Sequence, residues 1–377
     1  MTVLIPPYDN PSEGGRTFAA GGVRIDSLAV NKEVPEESWR QAIEQPRLAW
    51  RAVERALELQ PDVVHVFKPK AVSGLAQAIA WYRRRVAGGP ALVLDTDDWE
   101  GNGGWNDYER YPWWQKLACD WQEQWGLTHA DAITAASRTL QAQAWSRRVL
   151  PVRVRYLPNG LDPADYPGWQ DADPTEARAM LGLGSRPVVL LYTRFFEFEP
   201  RRVLDVLRAA RRGVPDMVLL VVGAGKFGQE RQLAEMAQAD GQEEAVRLAG
   251  WQEPARLPGL LKAADVALFP ADDNLANRAK CSVKVLEMMW LGVPVVADRV
   301  GQYAEYVQDG VSGMLTEPGD PGTMAEAVGR VLEDRGLRAR LVEAGRRRVV
   351  DDFDWTRLAV EAERAYEVAL RGRGRWS

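Results

Sequence analysis

The sequence of 377 residues has few of the side chains that enzymes use for nucleophilic or metal chemistry. It has two cysteines, Cys119 and Cys281, too few for a disulfide framework or a cysteine-rich metal site. Its two histidines, His65 and His129, leave almost nothing for a Ser-His-Asp triad or a histidine metal centre. Any chemistry must therefore use carboxylates, lysine, arginine and backbone amides, and we expect no metal and no resident cofactor.

Long apolar runs and an excess of positive charge are also missing. No run of about 18 apolar residues exists, and no charged-then-apolar signal peptide opens the chain, so we expect a cytoplasmic protein. The formal net charge of −5 argues against a general nucleic-acid surface. A hydrophobic share of 46% and a charged share of 27% are typical of a globular protein, and the length allows two ordinary domains.

Short apolar runs alternate with longer amphipathic segments, and the pattern restarts halfway along the chain. Strands are predicted at 2–6, 62–67, 91–95, 131–134 and 152–157, then at 187–192, 217–222, 246–248, 265–269, 293–297 and 314–315. Helical patterns lie between them, for example at 39–59, 73–86 and 137–149. This alternation predicts an α/β protein with two Rossmann-like, doubly wound domains. Their ligands are expected outside the carboxyl ends of the strands, in a cleft that the domains face.

A proline-containing stretch at 162–174 is the predicted hinge between the two halves. We place the first domain at 1–165 and the second at 166–350. The remainder, 351–377, is predicted to form a C-terminal helix at about 355–370, which packs back on the first domain, and a basic tail.

Two strand ends of the second half carry candidate ligand-binding groups. Arg194 follows the strand at 187–192, and its guanidinium fork suits phosphate oxygens. Taken alone, it is more typical of a surface arginine paired with Glu197 or Glu199. The strand at 217–222 runs into a small turn that lets a ligand approach the backbone, although such turns often carry glycine anyway; its candidates are Gly223, Gly225 and Lys226.

The segment 277–292 is the most informative of the second half. Ser282 is a suitable N-cap for a helix that begins at Val283. Lys284 and Glu287 are three residues apart and share a helix face. A helix N-terminus beside a lysine attracts a diphosphate, and a carboxylate one turn later suits a ribose diol. The alternative is a simple surface pair of Lys284 and Glu287.

In the first half, the strand at 91–95 ends in a group of carboxylates. Asp95, Asp97 and Asp98 repel one another unless they are paired, solvated or bound to a metal. Asp-x-Asp also occurs as a divalent-metal motif in single-domain glycosyltransferases. In a two-domain chain we favour a role in holding substrate hydroxyls, with an aspartate that caps the following turn as an equal alternative.

Tryptophan is abundant, with 15 residues. Trp114, Leu117, Ala118, Trp121 and Trp125 form a stripe at helical spacing. We interpret this stripe first as core and second as a wall for a sugar or lipid acceptor. The run at 83–85 is a basic patch that suits a membrane surface, although a solvated helix end is the more ordinary interpretation.

The order of several motifs resembles a known family, the retaining glycosyltransferases of GT-B fold, family 4 (glycosyl transferases group 1). The resemblance covers most of 135–370 and, more loosely, the first half. Its motifs are a Pro-Asn-Gly-x-Asp run at 158–162, Val-Gly-Ala-Gly at 222–225, Ala-Gly-Trp at 249–251, Ala-Ala-Asp-Val-Ala-Leu-Phe-Pro at 263–270, the run 285–297, and Glu305 before Asp-Gly-Val-Ser-Gly at 309–313.

The resemblance implies roles for individual residues. It assigns charge-stabilising or substrate-orienting roles to Asp97, Asp98 and Arg194, with either aspartate standing where the family often has a histidine. The implied donor-binding residues are Arg194, Arg201, Gly223, Gly225, Lys226, Trp251, Lys280, Ser282, Lys284 and Glu287, with Arg202 as an alternative to Arg201. Lys68 and Trp99 are expected on the acceptor side. Ala279 stands where the family has a sugar-contacting glutamate, which indicates a different donor sugar.

The resemblance also implies the reaction: a hexosyl residue moves from a nucleotide-diphosphate sugar to an acceptor hydroxyl, with retention and without a metal. Glycan, envelope polysaccharide or glycolipid synthesis is the expected setting, with peripheral contact at the inner membrane face. A GT-B-fold sugar-nucleotide epimerase and an inactive sugar-nucleotide-binding protein are the alternatives. The family's first strand, glycine-rich turn and helix are expected to be absent, since residues 2–7 resemble its second strand. The donor sugar, base, acceptor and oligomeric state stay open.

Overall fold

The computed structural model describes residues 1–6, 11–29 and 41–372, without the side chains of residues 11, 41 and 42. The chain divides into two compact units. Unit 1 comprises Met1–Leu157 with Val360–Ser377, and unit 2 comprises Pro158–Ala359. The domain boundaries at 165 and 350 stay predictions.

The described residues of unit 1 form two separate sheets. Its strands are β1 (Thr2–Ile5), β2 (Thr17–Ala20), β3 (Val23–Ser27), β4 (Val63–Phe67), β5 (Ala91–Thr96), β6 (Ala132–Ala135) and β7 (Val154–Tyr156). Strands β1 and β3 are parallel, β2 is antiparallel to β3, and β4-β5-β6-β7 form a parallel sheet in that order. The strands predicted from apolar runs are confirmed to within about two residues, but these predictions did not include the short strands β2 and β3.

The helices of unit 1 follow these strands. They are α1 (Gln41–Glu58), α2 (Ala71–Ala87), α3 (Trp105–Tyr108), α4 (Trp113–His129) and α5 (Arg138–Ser146). The helix predicted at 39–59 is confirmed from Gln41 onward, and its first two residues lie outside the described part. The core interpretation of the tryptophan stripe on α4 is wrong, because Trp114, Leu117 and Trp121 are exposed.

Unit 2 contains a second parallel sheet. Its strands are β8 (Val188–Tyr192), β9 (Val218–Val222), β10 (Val246–Gly250), β11 (Val266–Phe269), β12 (Val295–Asp298) and β13 (Met314–Thr316). Its helices are α6 (Thr175–Met180), α7 (Pro200–Ala210), α8 (Gln229–Ala239), α9 (Leu257–Lys262), α10 (Leu275–Ala279), α11 (Val283–Leu291), α12 (Gly301–Tyr306), α13 (Pro321–Glu333) and α14 (Arg335–Asp352).

The sheet order of unit 2 is β10-β9-β8-β11-β12-β13, the doubly wound order of a Rossmann-like fold. Its strands other than the edge strand β10 are almost fully buried, which explains why they form continuous apolar runs in the sequence. The direction of winding reverses between β8 and β11. Ligands of such sheets bind outside the carboxyl ends of the strands at this reversal, so the residues that follow β8 are well placed for binding.

The last helix, α15 (Trp355–Gly372), returns to unit 1 as predicted. Ala365 and Ala369 are fully buried and pack in one cluster with Ala91, Val93 and Ala132 of the parallel sheet. Small side chains on both surfaces allow the helix to approach the strands closely. None of the described helices combines the length and the apolar character that a bilayer crossing requires.

Candidate active site

The loop after β8 presents Arg194 to solvent. The Thr193 hydroxyl accepts a hydrogen bond from the Phe195 amide at 2.7 Å, and Phe195 itself has a left-handed φ of 62° with a buried ring. Arg194, between these two anchored residues, is exposed and forms no hydrogen bond or ion pair with a described residue. The alternative pairing of Arg194 with Glu197 or Glu199 is therefore not formed, and the guanidinium is available to a ligand.

Glu197, three residues later, pairs instead with a lysine that is distant in sequence. Its buried carboxylate accepts from Lys280 through one oxygen and from the Phe196 amide through the other, at 3.1 Å. Burial acts to raise the pKa of Glu197, but Lys280 and Lys284 outweigh it and hold that pKa below its usual range. Glu197 was not among the predicted ligand-binding residues.

Lys284 is the second residue of helix α11. Its ammonium is 4.5 Å from the centre of the Tyr192 ring at the end of β8. Burial lowers the pKa of Lys284 to about 8, against the opposing effect of Glu197 and Glu287. The positive charge of Arg194 contributes to the same lowering, which shows that these groups share one electrostatic environment.

Glu287 is largely buried and half satisfied. One carboxylate oxygen accepts from the Tyr166 hydroxyl at 3.1 Å, and the other is buried without a hydrogen-bond partner among the described residues. Burial raises the pKa of Glu287. Lys284 and Glu287 form no ion pair within 4 Å in this part of the structure, so the surface-pair alternative does not describe them. We call Arg194, Glu197, Lys280, Lys284 and Glu287 the unit 2 cluster.

The Pro-Asn-Gly-x-Asp run forms hydrogen bonds with the loop that precedes α11 and leads into this cluster. The Asn159 side-chain amide donates to the Cys281 carbonyl at 3.1 Å, and its backbone amide donates to Cys281 Sγ at 3.2 Å. The Tyr306 hydroxyl donates to the Asn159 carbonyl at 2.6 Å. These contacts fix the segment between Lys280 and Ser282 against the rest of unit 2.

Helix α11 begins at Val283 as predicted, but the predicted cap is not formed. Ser282 occupies the N-cap position and is buried, yet its hydroxyl accepts no hydrogen bond from the first turn of the helix. The side chain of Ser282 therefore does not cover the first amides of α11.

The turn after β9 is shaped by packing. Gly223 has a φ of 116°, and a Cβ there would lie 2.0 Å from the Thr193 carbonyl oxygen. A Cβ on Gly225 would lie 2.1 Å from the Gln229 side-chain oxygen. Gly223 is thus required by a backbone contact that keeps this turn close to the loop of Arg194, whereas the flexible Gln229 side chain can move away from a Cβ at position 225.

Three other predicted donor residues are exposed or paired with residues outside the unit 2 cluster. Lys226 is exposed, with its ammonium 5.9 Å from the Phe227 ring, and Trp251 is 67% exposed. Arg201 pairs with Asp240 at 2.9 Å and with Asp205 at 3.4 Å.

Arg202, the alternative to Arg201, has a structural role. It is buried, and its guanidinium contacts Asp298 at 2.5 Å and the Ala271 carbonyl at 3.2 Å. These contacts tie α7 to the ends of two strands. Among the predicted arginines, Arg194 is the one that the structure places with Lys284.

Unit 1 has its own charged cluster, at the ends of β4 and β5. The Lys68 ammonium lies 3.0 Å from Asp98, 3.3 Å from Asp97 and 3.8 Å from Glu100. Lys70 contacts Glu100 at 2.7 Å. Burial acts to lower the pKa of Lys68, but the three carboxylates outweigh it and raise that pKa. We call these five residues the unit 1 cluster.

The positive charge of Lys68 thus offsets the expected repulsion between Asp97 and Asp98. Burial raises the pKa of Asp97, and the described residues contain no group of three or more metal-ligating side chains arranged to hold a metal. Asp97, Asp98 and Lys68 are thus found together, and the cluster also contains Lys70 and Glu100, which were not among the predicted site residues. The available signal was the Lys-Pro-Lys run directly after a strand that neighbours β5.

Trp99 does not face a ligand. Its ring is 1% exposed, its indole N–H donates to the Asn102 carbonyl at 2.9 Å, and the Arg147 guanidinium lies 4.6 Å from its centre. The indole packs within unit 1, so the expected acceptor-side contact of Trp99 has no exposed surface to use.

A hydrogen-bonded chain runs beneath the unit 1 cluster. Tyr366 of α15 lies 3.0 Å from His65 Nδ1, His65 Nε2 lies 3.3 Å from the Thr134 hydroxyl, and that hydroxyl donates to Asp95 at 2.5 Å. Burial lowers the pKa of His65 to about 4 and raises that of Asp95 to about 7. Because Thr134 donates to Asp95, it accepts from Nε2–H, and Nδ1 accepts from Tyr366.

Comparisons with known proteins agree with this architecture. The family described as "Glycosyl transferases group 1" matches residues 175–348, and the "Glycosyl transferase 4-like domain" matches residues 1–160. Together these two matches include most of the chain.

Curated relatives carry glycosyltransferase names. The chain is 33% identical over 241 residues to the GDP-mannose-dependent alpha-(1-6)-phosphatidylinositol monomannoside mannosyltransferase of Mycolicibacterium smegmatis, covering 62% of each protein. It is 27% identical to the phosphatidyl-myo-inositol mannosyltransferase of Mycobacterium leprae, with coverage of 82% of this chain and 75% of that protein. A D-inositol 3-phosphate glycosyltransferase of Salinispora arenicola is 30% identical, and the match spans 58% of its length and 67% of this chain. The chain thus spans about three fifths of the length of the first and third relatives.

Solved structures share the fold. Anabaena HepE in complex with UDP and glucose superposes with a TM-score of 0.67 at 19% identity, over 91% of this chain and 85% of that one. Sucrose-phosphate synthase from Thermosynechococcus elongatus gives 0.70 at 22% identity, over 97% and 88%. At these identities the likeness concerns the fold alone. The two family matches, the two Rossmann-like units and these structural neighbours establish that the chain belongs to the GT-B glycosyltransferases of family 4.

Proposed function

We propose that this protein is a retaining hexosyltransferase that moves a sugar from a nucleotide-diphosphate sugar to an acceptor hydroxyl. The observation that carries the proposal is the unit 2 cluster at the strand reversal of a Rossmann-like sheet. There, an arginine and a carboxylate oxygen that have no partner among the described residues share one electrostatic environment with a partly buried lysine. These groups match the phosphates and the diol of a nucleoside diphosphate.

Arg194 and Lys284 neutralise the diphosphate in this proposal. Negative charge grows on the leaving phosphate as the glycosidic bond breaks, and fixed cations that are already in place stabilise it. Lys284 is held out of water, so its charge acts in a medium of low polarity and is more effective than an exposed lysine. No metal is required for this step.

Glu287 binds the ribose. Its oxygen without a partner accepts from one or both sugar hydroxyls, while Tyr166 holds the other oxygen in place. A ribose hydroxyl that donates to this oxygen supplies the hydrogen bond that the buried acceptor lacks. A ligand with this hydroxyl therefore binds more tightly than a ligand without it.

The donor sugar faces the pair of Glu197 and Lys280. Ala279 is fully buried and offers no polar group where the family has a glutamate. Glu197 comes from a different part of the chain and supplies a buried carboxylate, and Lys280 supplies a donor beside it. We assign the recognition of the sugar hydroxyls to this pair, which distinguishes the chain from the usual family pattern.

The unit 1 cluster holds acceptor hydroxyls. The negative charges of Asp97 and Asp98 are neutralised by Lys68. The hydroxyls of an acceptor substrate therefore form hydrogen bonds with these carboxylates without leaving an unpaired charge. The departing phosphate takes the proton of the attacking hydroxyl, so a strong protein base is unnecessary in a chain with two histidines. Relatives named for phosphatidylinositol and inositol phosphate support an acceptor of that class in glycolipid or envelope glycan synthesis, with peripheral contact at the inner membrane face.

The test incubates the full chain with a panel of GDP-, UDP- and ADP-sugars, with and without inositol phosphate or phosphatidylinositol. We expect transfer of the sugar to the acceptor with the anomeric configuration of the donor preserved, as determined by NMR. An isomerised donor would identify an epimerase, and nucleotide-sugar binding without any turnover would identify an inactive binding protein; either result overturns the proposal. An inverted product would overturn retention alone.

A further inference from the structure

Helix α4 carries its apolar face on the outside. Trp113, Leu117 and Trp121 are 74%, 58% and 48% exposed, and every exposed position of this helix is uncharged. Its inner face contains the polar groups, including the buried Gln122 and Glu123. Cys119 and Leu127 are also buried on the inner face, so the helix packs inward through a mixed surface while its outer face is apolar. An exposed apolar face of this extent marks an interaction surface.

The apolar surface continues onto the end of α2. The rings of Trp121 and Trp125 are stacked with centroids 5.8 Å apart, and Trp125 meets Trp81 edge-on at 5.6 Å. Tyr82 and Val86, also on α2, are exposed. We call this set the tryptophan surface; it comprises Trp81, Tyr82, Val86, Trp113, Trp114, Leu117, Trp121 and Trp125.

Arginines surround the tryptophan surface. The Arg85 guanidinium lies 4.9 Å from the centre of the Trp81 ring. Arg147 and Arg148 line a shallow hollow together with Trp121 and Trp125. The surface therefore combines an apolar, ring-rich centre with a positive border, although the chain as a whole carries a net charge of −5.

We propose that the tryptophan surface docks onto an anionic lipid bilayer. Tryptophan rings are favoured at the boundary between headgroups and acyl chains, and arginines at that depth attract anionic headgroups. A sugar-binding platform needs hydrogen-bonding side chains beside its rings. Gln124, Thr128 and Ser146 supply such groups in the hollow beside Trp121 and Trp125, whereas the other exposed positions of α4 carry tryptophan, leucine and alanine. The charge and the composition thus match a lipid surface better than a soluble glycan.

The test is co-sedimentation of the full chain with vesicles, without any nucleotide sugar. We expect binding to vesicles of phosphatidylcholine and phosphatidylglycerol, weaker binding to phosphatidylcholine alone, and loss of binding with added salt. The double variant Trp113→Ser/Leu117→Ser is expected to bind at least about tenfold more weakly, because two exposed apolar side chains leave the bilayer. Arg85→Glu/Arg148→Glu is expected to lose the preference for phosphatidylglycerol.

Val311→Ser is the matched control, since Val311 is an exposed apolar side chain of unit 2, and it is expected to bind vesicles like the wild type. Circular dichroism and thermal melts confirm that each variant is folded. Equal sedimentation of wild type and the tryptophan-surface variant overturns the proposal. Self-association in analytical ultracentrifugation that depends on Trp113 and Leu117 without vesicle binding also overturns it, as does binding to soluble oligosaccharides instead. Because no donor is present, these results are independent of the proposed reaction.

Discussion

The Tyr166 hydroxyl donates a hydrogen bond to one oxygen of Glu287 at 3.1 Å, and the other oxygen is buried without a partner among the described residues. We predict that Glu287→Ala weakens the binding of a nucleoside diphosphate by about ten- to hundredfold, since a hydrogen bond to a charged group contributes about 1.5–3 kcal/mol. Tyr166→Phe is expected to have a smaller effect, because it loosens the carboxylate without removing it. Isothermal titration calorimetry measures both affinities.

The matched control for this prediction is Glu343→Gln, an exposed carboxylate that pairs with Arg347 on the surface of α14. It is expected to bind the nucleotide like the wild type. Unchanged affinity in Glu287→Ala would show that the buried oxygen does not meet the ribose.

Arg194 is exposed and has no partner among the described residues, so its removal leaves the fold intact. We predict that Arg194→Ala lowers kcat/KM for glycosyl transfer by about 10²–10³-fold, the usual effect of removing one charge-stabilising group. Arg194→Lys restores the charge without the guanidinium fork and is expected to be intermediate. Arg208→Ala removes an exposed arginine of α7 that pairs with Asp240, and serves as the control. Equal activity of the alanine variants at 194 and 208 would contradict the assignment.

Lys284 makes nucleotide binding dependent on pH. Its pKa is lowered to about 8 by burial, so the free protein loses this positive charge as the pH rises through about 8. We predict that nucleoside diphosphate affinity falls over the same range and that binding near pH 8 takes up protons, because a bound diphosphate favours the charged lysine. Calorimetry in buffers of different ionisation enthalpy measures this uptake. Lys284→Arg is expected to abolish the alkaline fall, and a pH-independent wild type would refute the prediction.

The same buried charge destabilises the fold. The unfolded chain holds this proton up to about pH 10, whereas the folded chain releases it near 8, so stability rises with pH between these values. We predict that Lys284→Met raises the free energy of unfolding at pH 7 by about 2–3 kcal/mol while nucleotide binding is weakened. Urea unfolding and calorimetry on the same samples separate the two effects. A variant that is both less stable and unable to bind would indicate a structural role for Lys284.

The strands and the family motifs could be predicted because their signals are local. The buried strands of unit 2 form continuous apolar runs, and Arg194 stands directly after one of them. The pairing of Glu197 with Lys280 joins residues 83 positions apart in sequence. No spacing rule relates them, so this pair could be found only in the folded chain.

The orientation of α4 could not be predicted either, because periodicity identifies a helix face without saying which way it points. The polar side chains of the inner face form hydrogen bonds with backbone carbonyls where α2 and α4 lie close together. Gln77 donates to the Gly126 carbonyl at 2.9 Å, and Gln122 donates to the Ala71 carbonyl at 3.2 Å. Glycines at 74 and 126 allow this contact between α2 and α4. The tryptophans are left on the opposite face.

Tyr366 and His65 form the link that connects α15 with the sheet of unit 1. We predict that Tyr366→Phe lowers the free energy of unfolding by about 1–3 kcal/mol, because the buried His65 Nδ1 loses its donor. In a His65→Leu background the same substitution is expected to cost much less. A double-mutant cycle by urea unfolding gives the coupling energy. Strictly additive effects would show that the two side chains do not stabilise each other.

Glu123 gives unit 1 a stability that depends on pH. One oxygen accepts from the Glu100 amide at 3.0 Å, the other is buried without a partner in the described structure, and burial raises the pKa of Glu123 to about 8. The folded protein therefore keeps a proton that the unfolded chain releases above about pH 4.5, so stability is lost as the pH rises from there to about 8. One such proton changes the free energy of unfolding by about 1.4 kcal/mol per pH unit.

Glu123→Gln keeps an oxygen for the Glu100 amide but holds no titratable proton. We predict that it flattens the fall in stability between about pH 5 and pH 8, so that the variant exceeds the wild type at pH 8 and approaches it at pH 5. Asp95, whose pKa is raised to about 7, contributes its own fall in stability up to about pH 7, so part of the slope remains in the variant. Thermal melts of both proteins across this range provide the measurement, and parallel curves would show that Glu123 is not the group that titrates.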